Sequence, residues 1–130
     1  MEVTLKLTEK QAAVVVAALD LYTRVLIGQV EMVEEVLRWT YPGLSAEGLQ
    51  QARDLMKSVK EQLWGFGPGA SHGIHSPAVH DNARKAYDLL QVVRNGIALA
   101  KKPEGGFQVC YDVPRQTSTE EPLATVTISL

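Results

Sequence analysis

The sequence predicts an α+β domain, three helices (one of them long) packed with a small sheet of about three strands. Three observations lead there. Apolar residues recur every three or four positions over three long stretches. Three short stretches alternate apolar and polar residues with a period of two: Glu2 to Leu7, Phe107 to Val113, and Leu123 to Leu130. The breaks between these stretches are rich in Gly and Pro.

Val3, Leu5 and Leu7 fall to one side of the first alternating stretch, which reads as a half-buried strand. Thr8 with Gln11 then makes a capping-box pattern, opening a helix read as continuous from Glu9 to about Trp39. Its apolar stripe runs through Ala12, Val15, Leu19, Tyr22, Leu26, Val30, Val33 and Leu37. A second band, through Val14, Ala18, Leu21, Val25, Met32 and Val36, asks for more cover than one small domain supplies. That surplus predicts a homo-oligomer built through this helix.

Tyr41-Pro42-Gly43 breaks the helix and Ser45 caps the next, whose inward face is Leu49, Ala52, Met56, Val59 and Leu63, ending at Trp64-Gly65. Ser76-Pro77 reads as the start of a third helix, with Val79, Ala83, Ala86, Leu90, Val93 and Ile97 inward and Pro103 as its stop. The remaining two alternating stretches supply the other strands. The 130 residues fit a single domain, residues 1–130, large enough to bury a core without disulfides.

A formal net charge of −2 argues against non-specific nucleic-acid binding, which needs a basic excess or stripe. The lone Cys110 permits no intrachain disulfide, and no signal peptide or membrane span is legible. The expectation is a soluble cytoplasmic protein that makes no membrane contact.

The segment Gly65 to His80 (GFGPGASHGIHSPAVH) holds four of the ten glycines, two of the six prolines and all three histidines. Its glycine backbone, followed by a helix start with Arg84 and Lys85, is suited to an anion. It lacks the Lys-Ser/Thr ending of a P-loop. The predicted ligand contacts are His72, Gly73, His75, Arg84 and Arg94, with a small anionic or nucleotide-type ligand. His72, His75 and His80, with Asp81, also raise the alternative of a small metal protein or hydrolase, although their spacing matches no zinc signature. No nucleophile with its base and orienting group is visible, so no catalytic residue, resident metal or cofactor is predicted. A structural or interaction module is the remaining alternative.

The segments ALDLYTRVLIGQ, GI-x-SP-x-V, AYDL-x-QV-x-R and TS-x-x-x-PL, in that order, resemble a family of small bacteriophage-encoded proteins of unassigned function. The resemblance covers most of the chain and transfers no functional residue. It implies a small phage accessory protein acting in the cytoplasm of a bacterial host, and with the missing catalytic set the expectation is a non-enzymatic binding protein. Such a protein would act in counter-defence by sequestering a nucleotide-type immune signal or inhibiting a host protein.

Overall fold

A computed structural model describes all 130 residues, and it is all-helical. Four α-helices, α1 (Glu9–Leu26), α2 (Met32–Thr40), α3 (Ala46–Trp64) and α4 (Asp81–Lys101), are followed by one 3₁₀ turn at Val109–Tyr111. The α+β expectation is therefore corrected. All three alternating stretches lack a ladder: residues 1–7 and 123–130 form no regular secondary structure, and the middle one is bent by the 3₁₀ turn. Period-two alternation marks a chain with one covered side. A strand needs in addition a neighbouring chain to take its backbone hydrogen bonds, and no backbone hydrogen bond joins residues 1–7 or 123–130 to another segment.

Helices α1 and α4 form the centre, antiparallel, with Lys101 near the end of α4 paired to Glu9 at the start of α1. The buried apolar residues of the pair are Ala12 of α1 and Ala83, Ala86, Leu90 and Val92 of α4. Residues of both terminal segments, Val3, Leu5, Leu7 and Ala124 to Leu130, line an apolar seam on this pair that includes Val15, Val92 and Ile97. Gly96 admits one of them: a Cβ there would stand 2.5 Å from Val126 Cγ1.

The capping box of Thr8 and Gln11 forms as expected, as does the Ser45 cap, whose hydroxyl accepts from Gly48 N–H. The helix expected to run from Glu9 to Trp39 instead breaks after Leu26. Gly28 takes φ +97°, and its missing side chain leaves room for the Phe66 ring, which a Cβ would meet at 3.2 Å. Only glycine adopts that backbone without strain while letting the ring approach so closely. Chain direction changes there, and α2 leads away to α3, which touches no helix other than α2.

Buried ions hold that joint. Glu34, fully buried, receives Arg38 from its own helix and Arg53 of α3 at 3.1 Å. Lys60, also fully buried, donates to Glu31 Oε1 at 3.0 Å and to the Pro68 carbonyl at 3.4 Å. Lys60 and Arg53 thus sit on the α2-facing side of α3, although neither belongs to the inward face expected from the sequence.

Candidate functional site

The five residues predicted to bind ligand do not converge. In the Gly65–His80 segment, His72 is half-buried. Its N–H donates to the Ile27 carbonyl at 2.8 Å, and its ring meets Phe66 edge-on with centroids 4.8 Å apart. Gly73 and His75 are exposed. His80 is the N-cap of α4, its Nδ1 accepting from Asn82 N–H, so the helix begins at Asp81 and not at Ser76-Pro77. No group of three or more His, Cys, Asp or Glu side chains is gathered to hold a metal. The three histidines cap, pack or face solvent separately.

Arg84 is buried and already committed. Its guanidinium donates to the Val79 carbonyl at 3.0 Å and the Ser76 carbonyl at 2.8 Å, and lies 3.5 Å from Asp81. It folds the histidine segment back onto α4. Arg94 stands ten residues further along α4, about 15 Å by helical rise. It belongs to a different surface.

That surface is a cleft of about 430 Å³ between α4 and the chain that follows the 3₁₀ turn. Tyr87, Gln91 and Arg94 form its α4 side, and Val109, Asp112, Val113 and Arg115 face them. Polar clamps fix the two sides. Gln91 Oε1 accepts from Arg115 N–H at 3.1 Å while its Nε2 donates to the Arg115 carbonyl at 3.0 Å. Asn95 Nδ2 donates to the carbonyls of Cys110 and Asp112, each at 3.0 Å. Cys110 accordingly sits in a turn, half-buried, and not in a strand.

Beyond the cleft the chain is strapped to α4 by two carboxylates. Asp88 accepts from Thr117 N–H, Thr117 Oγ1–H and Ser118 N–H, at 2.9, 2.6 and 2.9 Å. Asp81 accepts from Ser118 Oγ–H at 2.6 Å and Thr119 N–H at 3.0 Å, which hold its carboxyl at about 2, below the ordinary 3.8. Glu120 closes the strap on Lys85 at 2.6 Å, and this bond raises the Lys85 ammonium above its usual value.

The electrostatics of the cleft differ from the rest of the molecule. Seven ion pairs engage the other arginines and several lysines, but Arg94 and Arg115 join none of them. The Arg94 Nε–H is buried without a hydrogen-bond acceptor. Asp112, the one carboxylate in the lining, pairs with neither guanidinium. Arg115, Tyr87 and Gln91 were missed as site residues. A signal for their proximity existed in the order of the motifs: AYDL-x-QV-x-R and TS-x-x-x-PL are the two sides of the strap, joined through Asp88.

Comparison with known proteins places the chain in no group: no family model, no curated protein and no solved structure matches it. No helix is long and apolar enough to cross a membrane.

Proposed function

We propose that this is a non-enzymatic binding protein that takes up a small anionic ligand of nucleotide type in the cleft between α4 and Arg115. The observation behind the reading is the pair of uncommitted arginines, with the Arg94 Nε–H buried and lacking an acceptor. Leaving a buried charged donor unsatisfied costs on the order of 1–3 kcal/mol, a cost that a phosphate or carboxylate oxygen arriving there would remove. Guanidinium presents planar, forked donors that match such oxygens two at a time. Tyr87 adds an aromatic face at the same cleft, which suits a ligand carrying both phosphate and a planar base. The clamps from Gln91 and Asn95 fix the walls before the ligand arrives, which lowers the ordering cost of binding.

Two guanidiniums against one carboxylate leave the cleft with a local positive charge on a chain of net charge −2. That favours a discrete anion over a long polyanion, which needs a broader basic surface. In the phage setting implied by the resemblance, such a protein would act by holding a host immune signal away from its receptor. The His72, Gly73 and His75 loop is left out of this proposal because Arg84, expected to complete it, is consumed in folding it.

Isothermal titration of the full chain with inorganic phosphate, cyclic di- and trinucleotides and ADP-ribose tests the reading. Binding of at least one nucleotide is expected, weakened tenfold or more (about 1.4 kcal/mol) in both Arg94→Gln and Arg115→Gln. Binding unaffected by those variants would move the site elsewhere. No heat with any of these ligands would refute small-anion binding.

A further inference from the structure

Resting on the reading of the cleft between α4 and Arg115 as a nucleotide site, we infer further that the base it takes is guanine, chosen by Arg94 and Asp112 together.

The chain after the 3₁₀ turn runs antiparallel to α4, and its clamps fix where each side chain stands along the helix. Asn95 holds the carbonyls of Cys110 and Asp112, Gln91 holds both backbone groups of Arg115, and Asp88 holds Thr117. Asp112 is therefore level with Asn95, the neighbour of Arg94 in the chain. Arg115 lies one turn, about 6 Å, nearer the start of α4. Arg94 and Asp112 share one end of the cleft, and Arg115 stands toward the other. The backbone of Asp112 is fixed on both sides: its N–H donates to the Val109 carbonyl at 3.1 Å, and its carbonyl accepts from Asn95 Nδ2 at 3.0 Å. Its carboxylate joins no ion pair.

One end of the cleft thus carries a buried guanidinium donor without an acceptor and, on the facing wall, a carboxylate that can only accept. Guanine presents the complement on two adjoining edges. Its O6 and N7 are a pair of acceptors, which a guanidinium takes two at a time. Its N1–H and 2-amino group are a pair of donors, which match the two oxygens of a carboxylate. Adenine reverses the pattern: its 6-amino group would point a donor at Arg94, and its N1 would set a lone pair against Asp112. A pyrimidine offers the carboxylate a single donor group. Polar groups left unpaired by the wrong base are what make such a site selective. Arg115, one turn along, is left for the phosphate, which the ribose holds away from the negative Asp112.

Isothermal titration of the full chain with GMP, AMP, CMP and XMP (xanthosine monophosphate) tests the selection. GMP is expected to bind tenfold or more tightly than the other three. Arg115→Gln should weaken GMP and AMP alike, whereas Arg94→Gln should weaken GMP far more than AMP and erase the preference. Asp112→Asn is the decisive variant, because an amide presents one acceptor and one donor where the carboxylate presents two acceptors. It should lose GMP by tenfold or more and gain XMP, whose base carries a carbonyl in place of the 2-amino group. Asp112 is exposed and its structural contacts are through the backbone, so helical circular dichroism should be unchanged. Nucleotides that bind equally whatever their base overturn guanine selection while leaving the anion site standing. A guanine preference untouched by Asp112→Asn overturns the role of Asp112. No heat with any nucleotide overturns both the selection and the nucleotide site on which it rests.

Discussion

Asp81 and Asp88 stand two turns apart on one side of α4 and between them take the hydrogen bonds of Thr117, Ser118 and Thr119. Each replaces water at backbone N–H groups that no helix or sheet serves. Removing Asp88 leaves two of these N–H groups without their acceptor. Asp88→Ala is accordingly expected to cost roughly 2–3 kcal/mol, read as a lowered midpoint in urea unfolding. The Asp81 contribution has a pH signature. Its folded carboxyl lies at about 2 against an ordinary 3.8, so the stability it gives is complete above about pH 4. That stability falls as pH drops from about 4 to 2, because the unfolded chain takes up the proton first. Urea midpoints measured across that range should decline in the wild type, and less steeply in Asp81→Asn.

Among the elements, the joint between α2 and α3 rests on ions where most helix pairs rest on apolar packing. Lys60 is fully buried against Glu31, whose Oε2 has no hydrogen-bond partner. Truncating one member of such a pair strands the other. Lys60→Ala should therefore destabilise by about 3–5 kcal/mol, while the paired exchange Lys60→Met with Glu31→Leu should cost far less or nothing. Chemical denaturation of the single and paired variants distinguishes the two outcomes. A paired variant as weak as the single would mean that the ion pair itself holds α3 in place.

For the whole molecule, the α1–α4 pair is a scaffold to which both termini and the strap are fastened, while α2 leads away from it to α3. Attachment of the C-terminal segment depends on Gly96. Alanine there improves helix propensity by up to about 1 kcal/mol, but its methyl would collide with Val126. Gly96→Ala is expected to keep α4 intact and release residues 123–130, seen as a drop in NMR order parameters at Val126 and Ile128. Unchanged order there would show that the segment accommodates the methyl by a small shift.

What the amino-acid order determined by itself is local. Caps at Thr8 and Ser45, the stop at Gly65, and the inward run from Ala83 to Leu90 all follow from neighbours within four residues, so they are legible in one dimension. The pairing state of the alternating stretches was not legible, because a strand is defined by a partner distant in sequence. Residues 1–7 and 123–130 carry the strand pattern without that partner. The break at Gly28 was hidden for the same reason: an isolated glycine is tolerated in a helix until a ring from elsewhere, here Phe66, needs its space. Likewise Arg84 and Arg94 look alike in sequence, and tertiary structure alone separates them. The carbonyls of Ser76 and Val79 engage one guanidinium, while the cleft beside Arg115 leaves the other without an ion-pair partner. Hydrogen-bond satisfaction is a property of the folded neighbourhood, and it decided which arginine is left without a partner.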